Sequence, residues 1–192
     1  MANWATTTYC IEGKREDLEE LYNLCQAFIK KERPVMQDGA SEEWEGNIVL
    51  ALGEEIDNYY IRGFIQEYEL MDGVLTINAS EAWDATDFRH ILRNHYPDMT
   101  IYYMVEEYGE DVFATNDAEG KYFPYHFSID CCIKGSTTMD EFETKEEALK
   151  WIAEALGRET ITMREIKKWN LDRQAENSDD YICLYEYTIT DN

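Results

Sequence analysis

An α+β protein built on an antiparallel sheet is what this sequence predicts, and three features point to it. Strand-like and helix-like stretches alternate as strand, helix, strand, strand, helix, strand over residues 3–108. Two of those strands are joined by Met71-Asp72-Gly73, a turn short enough only for antiparallel neighbours. Both helical stretches carry apolar residues on one face and polar residues on the other, so each has one side to bury against a sheet.

Residues 3–12 read as a Thr-rich strand closed by Gly13. Tyr9 and Ile11 lead into the next element, so the odd residues are expected inward and Trp4 on the opposite face. There Trp4 either packs under the C-terminal helices or marks an exposed binding surface, and the first is expected because Trp151 and Trp169 in those helices need something to cover. Residues 15–31 form the clearest helix, with Leu18, Leu21, Tyr22, Cys25, Phe28 and Ile29 in one stripe. Glu16, Asp17, Glu19 and Glu20 load its first half, where acids complement the helix dipole, and Pro34 stops it.

A polar insertion follows at 34–58, with one short apolar run, Ile48 to Leu52, that reads as a helical turn. Tyr60, Phe64, Gln66, Tyr68 and Leu70 alternate with more polar neighbours, and Leu75, Ile77 and Ala79 continue on the return. A second helix spans 86–96, carrying Phe88, Ile91, Leu92 and His95 on one face, and Pro97-Asp98 ends it. A strand follows at 100–108, then a hairpin across NDAEG with arms at 111–115 and 122–133. In the second arm Phe123, Tyr125, Phe127, Ile129, Cys131 and Ile133 are expected inward; His126, Ser128, Asp130 and Cys132 are expected outward. Thr144 with Glu147 and Thr162 with Glu165 are capping boxes ahead of two further helices, and YICLYEYTI at 181–189 closes the chain as a strand.

This order is that of the ferredoxin-like fold, a split βαβ antiparallel sheet with two helices on one face. Here the 111–133 hairpin is expected to extend the sheet. The expected organisation is a ferredoxin-like domain at 1–133 and a C-terminal helical elaboration at 134–192, packed on the same domain and ending in the final strand.

Composition narrows the class of function. Forty-one acids face 17 bases over 192 residues, a formal net charge of −24. Residues 34–61 and 94–120 hold seven acids each and no Lys or Arg. A surface of this sign repels phosphates and anionic lipids, so neither direct nucleic-acid binding nor membrane association is expected. Its plain reading is solubility; its sharper one is a surface that docks a basic protein partner, or mimics DNA before a DNA-binding protein. The first 13 residues lack the basic and continuously apolar regions of a signal peptide, and the five Cys share no metal-type spacing. Reduced thiols and a cytoplasmic location are the expectation.

Three stretches carry a family resemblance. The first is Asn3-Trp4 with a Thr-rich strand ending Ile11-Glu12-Gly13 and an acidic helix entry. The second is LTINASEAWDATDF at 75–88, and the third is HYPDMTIYYMVEEYG at 95–109. Over residues 1–133 the chain resembles the Api92-like or YubB-type ferredoxin-like domain, found in small bacterial proteins of plasmids, phages and conjugative elements. It departs from that pattern at Ala5, where a Cys is usual, and at Asp84-Ala85, where prolines are usual. The resemblance implies a fold and a mobile-element setting, and no catalytic residues.

Few constellations suggest chemistry. His95 reads as a core-edge residue bonded to backbone; His126, Ser128 and Asp130 form a polar row at strand spacing, which is not a nucleophilic arrangement. Glycines are scattered with no phosphate-cradling motif, and NDAEG lacks calcium-loop spacing. No cofactor and no metal is expected. The most suggestive stretch is EAWDATD, where strand parity puts Glu81 and Trp83 on one side and Asp84 or Thr86 is placed to cap the next helix; it reads either as architecture, with Trp83 plugging the end of the core, or as a small polar pocket or contact patch. Candidate binding residues are therefore Glu81, Trp83, Asp84, His95 and Trp4. The expected function is a non-enzymatic interaction module; the alternative is a small-ligand binder or enzyme using a pocket at the strand–helix junction near Trp83.

Overall fold

A computed structural model describes residues 3–83 and 87–191. It is mixed α+β, with five helices and nine strands in two sheets among the described residues. Two compact units divide the chain: Met1–Asn116 with Thr190–Asn192, and Asp117–Ile189.

In the first unit β1 (Trp4–Glu12) is flanked by β3 (Val74–Ala82) and β4 (Thr100–Glu107), with β2 (Gly63–Met71) outside β3 and β5 (Val112–Thr115) outside β4. The pairings β1–β3, β1–β4, β2–β3 and β4–β5 are all antiparallel. The parity expected for β1 holds: Ala5, Thr7, Tyr9 and Ile11 are buried and Trp4 is exposed. Against this inner face lie α1 (Arg15–Ile29), α2 (Glu45–Ala51) and α3 (Asp87–His95). Leu18, Leu21, Cys25 and Phe28 of α1 share one core with Ile48 and Val49 of α2 and Phe88, Ile91 and Leu92 of α3. The turn between β2 and β3 has Asp72 at φ 52° and Gly73 at φ 81°, the left-handed pair that a two-residue hairpin needs.

Two expectations for this unit fail. Strand β2 does not alternate evenly from Phe64 to Leu70, because the register shifts between Ile65 and Glu67. That bulge at Gln66 changes the parity, so Ile65, Tyr68 and Leu70 face the core and Phe64 the other side. The cover expected for Trp4 is also wrong. Its neighbour is Phe64, ring centroids 5.6 Å apart, and it stays 45% exposed.

The hairpin expected over 111–133 does not form, since polar side chains at its first corner capture backbone. Asn116 accepts from Tyr103 N–H and donates to Ile101 O, ending β5 against β4. Asp117, 2% exposed, accepts from the N–H groups of Lys121, Tyr122 and Phe123 and so folds residues 117–123 into a loop. The unit boundary accordingly falls at 116/117 and not after 133.

In the second unit β6 (Phe127–Ile133) is the central strand between β7 (Ser136–Phe142) and β8 (Tyr181–Glu186), both antiparallel to it. Ile129 and Cys131 face a separate core with Ala148, Ile152 and Ala153 of α4 (Lys145–Ala155), Ile166 of α5 (Met163–Ala175), and Ile182. Ser128 and Cys132, expected outward, are buried too, so β6 is not the half-buried strand its alternation suggested. Tyr125, expected inward, is exposed. Both capping boxes are present, at Thr144 with Glu147 and Thr162 with Glu165. The two-residue β9 (Thr188–Ile189) is where the chain leaves this unit; next to it, Thr190 N–H donates to Thr115 O inside the first.

Burial acts to raise the Asp117 pKa, but its three N–H donors outweigh burial and hold the carboxyl below its ordinary value. Its contribution is present above the unfolded carboxylate range and lost as pH falls through the folded value. Asp117→Ala should cost the second unit about 2–3 kcal/mol in chemical denaturation at neutral pH, with a smaller difference in acid.

Candidate functional site

The insertion between α1 and β2 builds the most polar interior of the first unit. Glu45, the first residue of α2, is fully buried, and so is Glu81 near the end of β3. Glu81 is well supported: Tyr9 Oη donates to its Oε1 at 2.8 Å, and Thr7 Oγ1 donates to its Oε2. Glu45 is not. Neither of its carboxyl oxygens has a partner of hydrogen-bond geometry among the described residues, although Glu45 lies close enough to Glu81 for each carboxyl to shift the pKa of the other.

Gly63 explains how two carboxyls fit. It is the cross-strand partner of Glu81, and a Cβ there would stand 2.0 Å from Glu45 Oε2 and 2.2 Å from its Cδ. The missing side chain of Gly63 is the space the Glu45 carboxyl occupies. Arg89 of α3, 2% exposed, places its Cζ 4.0 Å from the Tyr103 ring centroid and lowers the pKa of both acids by its charge.

Burial raises both carboxyl pKa values, and the charge of Glu81 raises that of Glu45 further. The hydroxyl donors from Thr7 and Tyr9 act the other way on Glu81. Glu81 is therefore the better carboxylate and Glu45 the better acid, leaving one negative charge to face Arg89. Tyr9, its own pKa raised by burial and then by Glu81, stays a phenol that donates.

The sign of the pH dependence follows. A buried acid of raised pKa keeps its proton where the unfolded chain has lost it. Stability is then greatest below the unfolded carboxylate value and declines as pH rises towards the folded one. Glu45→Gln, which mimics the protonated acid, should remove the share of that decline that Glu45 contributes. The expected gain at neutral pH is roughly 3–6 °C in the melting midpoint, the shift that about 1 kcal/mol produces.

One residue away from Glu45 and from Gly63 lies a surface groove. Trp44 precedes Glu45 and Phe64 follows Gly63, and the two are joined by an antiparallel bridge. They wall a groove of about 380 Å³, completed by Gln37, Asp38, Gly39, Ala40 and Ser41. The Trp44 indole lies over Gly46, where a Cβ would come within 2.2 Å of Cζ2, and its Nε1 donates to Ile61 O at 3.1 Å. Asn47 anchors the far wall: its Oδ1 accepts from Met36 N–H and its Nδ2 donates to Ser41 O.

The residues singled out from sequence are scattered. Glu81 is interior, whereas Trp83, expected beside it, turns out to solvent and is 44% exposed. The cause is local: Trp83 has φ 57°, so strand parity stops before it, and its N–H donates to Asn3 O. Its ring stacks on Tyr60 at 6.3 Å, and Arg62 lies 6.0 Å from it. His95 is bonded to a side chain and not to backbone, its Nδ1 lying 2.9 Å from Glu54 Oε1. Asp84 and Thr86 lie outside the described residues. Trp4 meets Phe64, which lines the groove.

Glu45, Gly63 and Arg89 were missed. A signal existed for Arg89, three residues before Leu92 and next to Phe88 in a short helix with a strong apolar stripe. None existed for Glu45, one acid among seven in its segment.

Burial pushes the Cys25 thiol up to about 12 and raises Cys131, so neither is a ready nucleophile. Among the described residues no group of three or more His, Cys, Asp or Glu side chains is placed to hold a metal ion, and no helix is long and apolar enough to cross a membrane. Compared with known proteins, the chain matches no family model and no curated protein.

Proposed function

We propose that this chain is an acidic, non-enzymatic protein-interaction module that docks a basic partner protein, and that its first unit is a ferredoxin-like domain. The order β2-β3-β1-β4, antiparallel throughout, with α1 and α2 in one crossover and α3 in the other on the same face, supports the fold. The resemblance over residues 1–133 adds a bacterial mobile element as the setting, and the reduced cysteines suit the cytoplasm.

The observation that carries the function is the first unit's set of exposed aromatics in a chain of net charge −24. Trp4, Tyr59, Tyr60 and Trp83 are each 41–45% exposed. Aromatic anchors supply most of the binding energy at protein interfaces, while an excess of one charge steers and selects the partner. Nucleic acid and anionic membranes are disfavoured by that same charge. The rival reading, a ligand pocket joining Glu81, Trp83 and His95, loses its premise, because Glu81 is buried and Trp83 faces solvent.

The test is capture on the immobilised chain at about 50 mM and 500 mM salt, across which the Debye length shortens severalfold, with Trp4→Ala and Trp83→Ala beside the wild type. Retained proteins should be basic, should be lost at high salt, and should be depleted by at least one Trp variant. Acidic or salt-insensitive retention would count against the reading.

A further inference from the structure

The Trp44–Phe64 groove has the make-up of a pocket for one cationic side chain. Resting on the proposed function, we propose that it receives a lysine or arginine from an extended basic segment of the partner protein. Its two walls are of opposite character. One is aromatic, Trp44 and Phe64, joined by their bridge and backed by Trp4 at 5.6 Å from Phe64. The other is a loop in which Asp38 is the single charged side chain lining the groove. Gly39, at φ 78°, turns the chain beside it. An aliphatic stem lies well against aromatic rings, a cation is attracted to their faces, and a carboxylate completes the recognition.

The chain's own cations nearby are turned elsewhere. Lys31 pairs with Glu42 at 3.0 Å, and Arg33 lies 5.2 Å from the Phe28 ring centroid. No Lys or Arg occurs between residues 34 and 61, so nothing in the insertion competes for Asp38. A groove of about 380 Å³ stands at the small end of the ligand pockets of folded proteins, room for one or two side chains. The aromatic wall is also rigid before binding. The indole is held by its bond to Ile61 O and by contact with Gly46, so little freedom is lost when a side chain enters. An anionic ligand would meet Asp38. The charge of the whole molecule favours a partner that is itself a polycation.

The probes are a hexapeptide of alternating Arg and Gly, its Lys and Glu counterparts, and free spermine, titrated into the intact isotope-labelled chain while the Trp44 indole N–H resonance is followed. The Arg or Lys peptide should move that resonance, and the Glu peptide should not. Asp38→Asn, a change at an exposed loop residue, should weaken the effect about three-fold, as loss of an exposed ion pair does. Phe64→Ala should abolish it; a retained amide spectrum shows that this variant still folds. Salt-sensitive peptide binding that leaves Trp44 unmoved and ignores Asp38→Asn would overturn the groove while sparing the interaction-module reading. Spermine binding as tightly as the peptides would overturn the commitment to a protein segment. Absence of salt-sensitive binding by any cationic probe would overturn both.

Discussion

Gly63→Ala is expected to destabilise the first unit by about 2–3 kcal/mol, the cost of forcing a methyl group into a filled interior. The conformation of Gly63 is not the reason. The obstacle is the Glu45 carboxyl, whose atoms lie 2.0–2.4 Å from the added carbon and which has no exposed direction in which to retreat. The same geometry predicts strong coupling. Glu45→Ala removes the obstructing group, so Gly63→Ala made in that background should cost far less than in the wild type. A double-mutant cycle by chemical denaturation reads this directly. Additive effects would show that the close approach at residue 63 does not set the cost.

Arg89→Leu is the second large effect, expected at about 3–5 kcal/mol at neutral pH, as when one member of a buried charged group is removed. The loss should depend on pH in a defined direction. Without the guanidinium, Glu45 and Glu81 face each other with no cation to favour ionisation, so both pKa values rise further. The folded variant then holds protons that the unfolded chain releases above the usual carboxylate value. Its stability must recover as pH is lowered towards about 5, near the unfolded range. A variant equally unstable at both pH values would mean that Arg89 acts through its stacking on Tyr103 and not through charge.

Much of the first unit was legible because its local patterns agree with its tertiary environment. Tyr9 and Ile11 set the parity of β1, the α1 stripe matched its buried face, and Asp72-Gly73 supplied the conformation its hairpin needs. Failures arose where a polar side chain or an extra residue overrode the pattern. Gln66 inserts into β2 without any Gly or Pro to announce it. Asp117 satisfies three backbone donors and turns an apparent hairpin into a loop. Strand β7, STTMDEF, has no apolar alternation because it is exposed along most of its length at the edge of its sheet.

The candidate site was less legible still. Glu81 was singled out as the companion of Trp83, but its true companions come from β1, α2 and α3, positions that only the fold brings together. A positive φ at Trp83 cannot be read from strand parity, which assumes extended backbone. The groove likewise depends on a single bridge between two residues 20 positions apart, Trp44 and Phe64.

The return of the chain to its first unit has a consequence for gene architecture. Residues 117–189 form a unit of their own, and the segments on either side of it already meet, since Thr190 N–H donates to Thr115 O at 2.9 Å. Deleting the codons for 117–189 would leave ends that a linker of a few residues closes, each residue spanning up to about 3.5 Å. The second unit is thus nested within the first as a cassette, held in the reading frame by two junctions that are neighbours in space.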